Sequence, residues 1–420
     1  GTIRRDGFSG FGPENKIGYF PSGALGWIIS EESFFQVDWI DYLKIRSSYG
    51  ATGRRAVNRY QTLARLSREI AYIFGDGGSP VYGQSVSSMA NQNLGWEKTT
   101  GINIGLDFRI LNARLRGSID YYNNNTSDIL YNIQLPQITG FGSIPKNISK
   151  VHNHGIEASI TGDIIQSSQF NWQTTFNFSR NRNEIKKLIG FGDLVANELF
   201  IGEPQRVIYD YQITGMWQLE DEEAGEIPSG FYPGTYKLKD LNGDGEYSAS
   251  DDRKILGYQD PSYRFSIVNR FNYKGFALHF TINSIQGGKD YYYADGSPYA
   301  TGQAWHREGG LHYQNVPKGA WDYWMPTNTD SKYRRLDQPS AYDPHPYMQR
   351  NFIRLQDFVL SYTFDTDAVN FLNTLKVFVS GKNLITLTDW TGWDPETGAG
   401  FVPWGRPVMR NYTLGVNVEF

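Results

Sequence analysis

The nine residues Tyr412-Thr-Leu-Gly-Val-Asn-Val-Glu-Phe420 alternate without a break: Tyr412, Leu414, Val416, Val418 and Phe420 against Thr413, Gly415, Asn417 and Glu419. Side chains of an extended strand alternate between its two faces, so this segment has one apolar face and one polar face. The pattern recurs along the chain. Leu43, Ile45, Ser47 and Tyr49 oppose Lys44, Arg46 and Ser48; Ile102, Ile104, Leu106 and Phe108 oppose Asn103, Gly105, Asp107 and Arg109. Leu115, Gly117, Ile119 and Tyr121 oppose Arg114, Arg116, Ser118 and Asp120. Phe170, Trp172, Thr174, Phe176 and Phe178 lie over Asn171, Gln173, Thr175, Asn177 and Ser179. A strand of a soluble sheet alternates too. Here the polar faces are as rich as the apolar ones, which is how a transmembrane strand reads: apolar toward lipid, polar toward an enclosed lumen.

The connections sharpen the point. Short ones fall at 30–39, 110–112, 166–169, 272–275 and 365–374; long ones fall between them at 51–97, 123–151, 181–262, 286–351 and 384–409. Outer-membrane barrels place short turns on the periplasmic side and long loops outside. Counting back from a periplasmic C-terminus puts every long stretch outside, provided that 205–216 belongs to an outer loop and does not span. Within 51–97, the segment 61–74 has apolar spacing that predicts a short helix. The expected fold is therefore all-β: an antiparallel transmembrane β-barrel of about eleven whole strands plus the tail of one at residues 1–5. Gly1-Thr-Ile-Arg-Arg5 reads as the end of a strand that began upstream, so the sequence is expected to be part of a longer protein.

Composition agrees without deciding the matter. A net charge of −4 points to no nucleic-acid partner. No run of about 18 apolar residues exists to make a transmembrane helix, which leaves barrel strands untouched. Cysteine is absent, so there is no thiolate chemistry. Aromatics make up 15% of the chain, with 28 Tyr and 25 Phe; rings with one wet end suit a membrane interface. An aromatic-rich, carbohydrate-binding β-sandwich, secreted or on the cell surface, is the rival from another class. It predicts solubility without detergent and apolar faces turned toward a second sheet.

A series of short motifs then appears in order. Arg4-Arg-Asp-Gly-Phe-Ser9 with Phe11-Gly-Pro13 is followed by Gly18-Tyr-Phe-Pro-Ser22, Leu25-Gly-Trp27 and Ile29-Ser-Glu-Glu32. Next come Leu43-Lys-Ile-Arg-Ser-Ser-Tyr-Gly50 with Ala51-Thr-Gly53, then Asn153-His-Gly-Ile-Glu157 and Asp240-Leu-Asn-Gly-Asp-Gly245. Phe352-Ile-Arg-Leu355, Leu360-Ser-Tyr362, Ser380-Gly-Lys-Asn-Leu384 and Trp393-Asp-Pro-Glu396 complete the set. Together they resemble the C-terminal part of a SusC-like, TonB-dependent outer-membrane transporter of the Bacteroidetes type. Phe8-Ser-Gly-Phe11 departs from the family's SSRF and lacks its Arg. The resemblance implies a 22-stranded barrel in the bacterial outer membrane, filled by an N-terminal plug. Plug and signal peptide are expected outside this chain. It also implies energy from the TonB complex, glycan or peptide import, a SusD-like lipoprotein lid, and dimers of transporter–lipoprotein pairs.

Two candidate sites stand out. Asp240, Asn242, Asp244, Glu246 and Asp251 occupy positions 1, 3, 5, 7 and 12 of an EF-hand-like loop, which points to Ca2+. Asp replaces the usual Glu at position 12, and an Asx-rich turn is the alternative. In 286–351, Trp305, Trp321, Tyr323 and Trp324 are candidates to stack on substrate; packing within the loop or against a lid is the alternative reading. His152 and His154, two apart on one strand, read as neighbours on a strand rather than as ligands. No nucleophile motif such as G-x-S-x-G occurs, so import without chemistry is expected. An outer-membrane enzyme barrel lacks any constellation to support it.

Overall fold

The computed structural model describes residues 1–68, 71–73, 78–188, 192–291, 322–335, 342, 344–365, 372–391, 394–396 and 408–420. Twelve long strands carry the architecture: β1 Thr2–Gly7, β2 Ile17–Ile28, β3 Ile40–Arg54, β4 Glu97–Ile110, β5 Leu115–Gln134 and β6 Ser143–Gln166. They continue as β7 Phe170–Lys187, β8 Tyr263–Tyr273, β9 Phe276–Gln286, β10 Phe352–Phe364, β11 Thr374–Thr388 and β12 Asn411–Glu419. All twelve join one sheet in the order of the sequence. Contacts group the chain into two compact units, Gly1–Ile160 with Arg180–Gln205, and Thr161–Ser179 with Arg206–Phe420.

In the first unit, β3 pairs with β4 through Leu43↔Phe108, Ile45↔Leu106 and Arg46↔Gly105, and β4 with β5 through Ile104↔Tyr121 and Gly105↔Asp120. This register puts Ile45, Ile102, Ile104, Ile119 and Tyr121 on one exposed face. Arg46, Asp107 and Asp120 share the other face. Arg46 donates both Nη groups to Asp120 at 2.6 Å and its Nε to Asp107. Gly105 lies beneath that guanidinium, where a Cβ would stand 2.4 Å from Cζ.

In the second unit, β8 and β9 pair from Tyr263↔Gln286 to Tyr273↔Phe276. They turn at Lys274-Gly275, both with positive φ, which is the two-residue hairpin geometry that favours glycine. A Cβ on Gly275 would also meet the Thr363 carbonyl oxygen at 2.8 Å. Tyr412, Leu414, Val416 and Val418 of β12 are exposed, 46–77%. Apolar side chains turned outward from a sheet with polar ties on its other face are the inverse of a soluble sandwich, and they suit lipid.

Several expectations need correction. Among the described residues of 61–74 there is no helix; Arg65–Ser67 and Ala71–Ile73 are short strands, paired with 85–88 and 80–82. The stretch 123–151 is mostly strand, because β5 runs on to Gln134 and β6 starts at Ser143. Likewise β7 continues to Lys187. Membrane strands need only about 9–11 residues, so these three overshoot the hydrocarbon. Where both faces meet water, alternation no longer marks a strand. Residues 205–216 do not join the sheet. Val207–Tyr211 and Ile213–Met216 pair locally with Arg253–Tyr258 and Tyr236–Leu238, so the strand parity holds, but the alternation of short and long connections does not: the β5–β6 connection, 135–142, is shorter than the 29–39 connection. Residues Thr2–Gly7 pair along their full length with 17–22 and supply the twelfth strand.

Candidate functional site

The excursion between β7 and β8 folds into a module of its own, with help from described residues of the β9–β10 connection. Tyr211, Trp217, Phe231, Tyr236 and Leu238 form its buried core. Tyr342 stacks on Phe231 at 5.4 Å, and its hydroxyl donates to the Tyr247 carbonyl. Burial raises the pKa of the Tyr211 and Tyr247 phenols, so both stay protonated and able to donate. Trp324 is 1% exposed: its ring lies against Gly234, its Nε1 donates to Gln218 Oε1 at 2.9 Å, and Arg335 stands 5.4 Å over its face. As placed, Trp324 packs within the loop and has no face open to a substrate. Tyr323 is half-buried, with its carbonyl accepting from Asn328 Nδ2. Trp305 and Trp321 lie outside the described residues.

Beside this core is an open recess of about 500 Å³, lined among others by Gln212, Lys254, Lys332 and Tyr347. The Gln212 Oε1 is buried there without a hydrogen-bond partner in the protein. Buried amide oxygens are nearly always paired, so this one is an unmet acceptor in the wall of the recess. Amide, ammonium and phenol groups around a recess of this size suit hydrogen bonding to a polar oligomer. Composition could not flag the recess, because Gln212 and Lys254 become neighbours only through pairing inside the loop module.

The 240–251 loop closes on itself. Asp240 accepts the amides of Gly243 at 2.6 Å and Gly245 at 2.8 Å, Asn242 accepts Asp244 N, and Asp244 accepts Glu246 N. Asp251 is taken by the hydroxyls of Ser248 and Ser250. The residue that shuts the loop is the next one. Asp252, fully buried, accepts Leu241 N and Ser248 N. Among the described residues, no group of three or more His, Asp or Glu side chains is placed to hold a metal ion. Calcium here rests on spacing alone.

Sequence reasoning missed a buried network at the outer end of β10. Arg354 is 1% exposed and donates to Thr386 Oγ1, to Glu396 at 2.8 Å and to Asp394 at 2.6 Å. Arg350 donates to the carbonyls of Pro395 and Glu396 and faces Asp290 at 3.7 Å. Burial lowers the pKa of Arg350, and Asp290 opposes that shift. Together the two arginines pin residues 394–396 to the sheet. The signal was present as an Arg within the alternating strand 352–364 and a distant Asp-Pro-Glu396.

Comparisons with known proteins agree with this geometry. The family model described as TonB dependent receptor-like, beta-barrel matches residues 1–384. TonB-dependent receptor P3 of Formosa agariphila is 32% identical over 460 residues, covering all of this chain and 43% of the relative. TonB-dependent receptor SusC of Bacteroides thetaiotaomicron is 29% identical, covering all of this chain and 42% of that protein. Among solved structures, the RagAB peptide transporter superposes with a TM-score of 0.75 at 26% identity, covering all of this chain and 45% of that one. The RagAB peptide importer in its open-open state gives 0.77 at 25% identity, covering all of this chain and 44% of the other. The chain thus spans less than half the length of the relatives it matches.

Proposed function

The chain belongs to the TonB dependent receptor-like β-barrel family of outer-membrane proteins, and from that premise we propose that it imports oligomeric nutrients across the outer membrane as the C-terminal part of a TonB-dependent transporter. The observation that carries this reading is the sheet itself. Twelve consecutive antiparallel strands turn apolar side chains to one face and the Arg46–Asp107–Asp120 tie to the other. Long excursions at one end are folded into a module with a polar recess.

A plug supplied by the rest of the protein, drive from the TonB complex, and a SusD-like lipoprotein over the outer mouth belong to the same reading. Likeness to SusC and to the RagAB peptide transporter supports it. The cargo is a glycan or a peptide; the RagAB likeness favours peptide. Weak binding of calcium to the 240–251 loop, whose turn holds without the ion, and pairing into dimers of transporter–lipoprotein units, are further parts of it. The relatives carry the names of receptors and transporters rather than enzymes, and the function is passage of an unaltered oligomer.

The test is extraction of the native protein from its outer membrane, with mass spectrometry of all that co-purifies. A requirement for detergent, a plug-bearing segment and a surface lipoprotein are expected. A protein pure and soluble without detergent overturns the reading in favour of a carbohydrate-binding sandwich. Uptake of defined oligopeptides and oligosaccharides by cells with and without the receptor then identifies the cargo.

A further inference from the structure

The overshooting strands of the first unit carry a surface that import does not use. Counting about ten residues from the 167–169 turn takes the membrane span to about residue 157 on β6 and 179 on β7. Above that level the strands still have an outward face. Asn123 of β5 pairs with Ile102 of β4 and so lies on the exposed apolar face. Its Oδ1 is 3.0 Å from His152 Nε2, which puts His152 on that face as well. By alternation His154 and Lys150 share it, directly above the exposed Ile156. On the opposite face, Tyr122 bonds Asn181 and Asn153 bonds Asn183. Arg180, Arg182, Glu184 and Lys186 therefore point outward, continuing the row of Phe176 and Phe178 along β7. Glu184 and Lys186 are close enough to His152 to act on it electrostatically. Lys98 of β4 is on the same side, two alternations beyond Ile102.

The result is a face that changes abruptly, along each strand, from apolar to cationic. Among the described residues, Lys98, Lys150, Arg180, Arg182 and Lys186 stand there against two carboxylates, Glu184, which pairs with Lys186, and Asp128, which accepts from Ser127 beside Lys98. Lys98, Lys150, Arg180 and Arg182 are exposed. The rings of His152 and His154 stack at 4.8 Å between them, and the Nδ1 atom of each is buried without a hydrogen-bond partner. Clustered cations at this depth repel one another unless an anion joins them. The anions available at the outer edge of a bilayer are headgroup phosphates, and juxtamembrane cations bind such surfaces.

We propose that the outward face formed by Lys98, Lys150, His152, His154, Arg180, Arg182 and Lys186 is a binding site for the phosphate groups of an outer-leaflet glycolipid. Its acyl chains lie along the apolar face around Ile102, Ile104, Tyr121 and Ile156. Arginine and lysine hold the phosphates as point charges and forks, and the stacked imidazoles lie among them. The site depends on the membrane placement of these strands and is independent of the imported cargo.

The test uses the full-length receptor in detergent, delipidated and mixed with diphosphoryl lipid A or its dephosphorylated form, and read by native mass spectrometry. The diphosphoryl lipid is expected to be retained at least about tenfold better. The Lys150→Gln, Arg180→Gln, Arg182→Gln, Lys186→Gln variant is expected to lose that preference while keeping heat-modifiable migration. Should it fail to assemble, Arg180→Gln with Arg182→Gln reads the same preference. Equal retention of the two lipids overturns the proposal, and so does a folded variant with unchanged preference. Displacement of the lipid by millimolar inorganic phosphate overturns it in favour of a free-anion site. Cargo uptake is a separate measurement, so failure here leaves the import reading standing.

Discussion

Arg46 in the first unit and Arg354 in the second each hold two carboxylates, one in water and one out of it. The Arg46 side chain is 33% exposed, with Asp107 at 29% and Asp120 at 19%. The Arg354 side chain is 2% exposed and Asp394 is 7%, while its second carboxylate, Glu396, reaches water at 43%. Both have short, well-directed hydrogen bonds. What differs is the cost of desolvation, and therefore what each pair does. In a wet lumen an ion pair is worth little net stability; Arg46 orders three adjacent strands and keeps their inner face polar. In a dry pocket a pair hardly outweighs the desolvation of its own charges, but losing one member strands the other. Arg354 is therefore a latch: the 394–396 segment either sits on β10 with both charges paired or leaves.

The comparison is tested most severely at the dry end. Arg354→Met leaves Asp394 buried without its cation, and the expected loss is about 3–5 kcal/mol. It should appear as a lower unfolding midpoint of the full-length receptor and as new protease cleavage at 389–396. Adding Asp394→Leu should recover part of that loss, because it removes the stranded charge. If the single variant unfolds like the parent, the latch is not dry.

Trp324→Ala extends the test to the loop module. A buried ring that packs on Gly234 and is held by Gln218 should cost about 3 kcal/mol. The loss is confined to the module, so proteolysis within 207–258 rises while the heat-modifiable migration of the barrel does not change. Arg46→Gln stands at the wet end, with an expected cost of about 1 kcal/mol, shrinking as salt is added. A loss as large as that of Arg354→Met would show that this part of the lumen face is drier than its exposure indicates.

The same contrast governs how much could be read beforehand. Strands within the lipid span were legible because lipid demands alternation, and Ile102–Ile104 or Leu414–Val416 have no other use. Residues 123–134, 143–151 and 181–187 were not, because a strand in water on both faces has no apolar period to display. The short segments 65–67 and 71–73 looked helical because Leu63, Leu66, Ile70 and Ile73 fit a helical spacing; pairing with 80–82 and 85–88 settled them as strands. Of the candidate sites, Asp240-x-Asn242-x-Asp244 was legible as a loop held by its own side chains. The Arg354 latch was not, since its partners lie about forty residues away along the chain.

The smallest effect concerns Asp240, which is partly exposed and yet hydrogen-bonded. The amides of Gly245 and Gly243 hold its carboxyl below the usual carboxylate range. A group whose folded value is depressed contributes order above its unfolded value, about 3.9, and loses it as pH falls through the folded value. Hydrogen exchange at Gly243 and Gly245 should therefore show equal protection, relative to intrinsic rates, at pH 5 and pH 7, and faster relative exchange only in stronger acid. Asp240→Asn should remove that acid step. Chelation with EDTA at pH 7 should leave both amides protected, because Asp240, Asn242, Asp244 and Asp252 already satisfy the turn. Calcium in an extracellular loop of this kind binds with a Kd of about 10⁻⁴–10⁻³ M. If EDTA exposes these amides and millimolar calcium restores them, the ion is part of the turn, and the loop belongs with Arg354 as a site where a missing charge partner undoes the local fold.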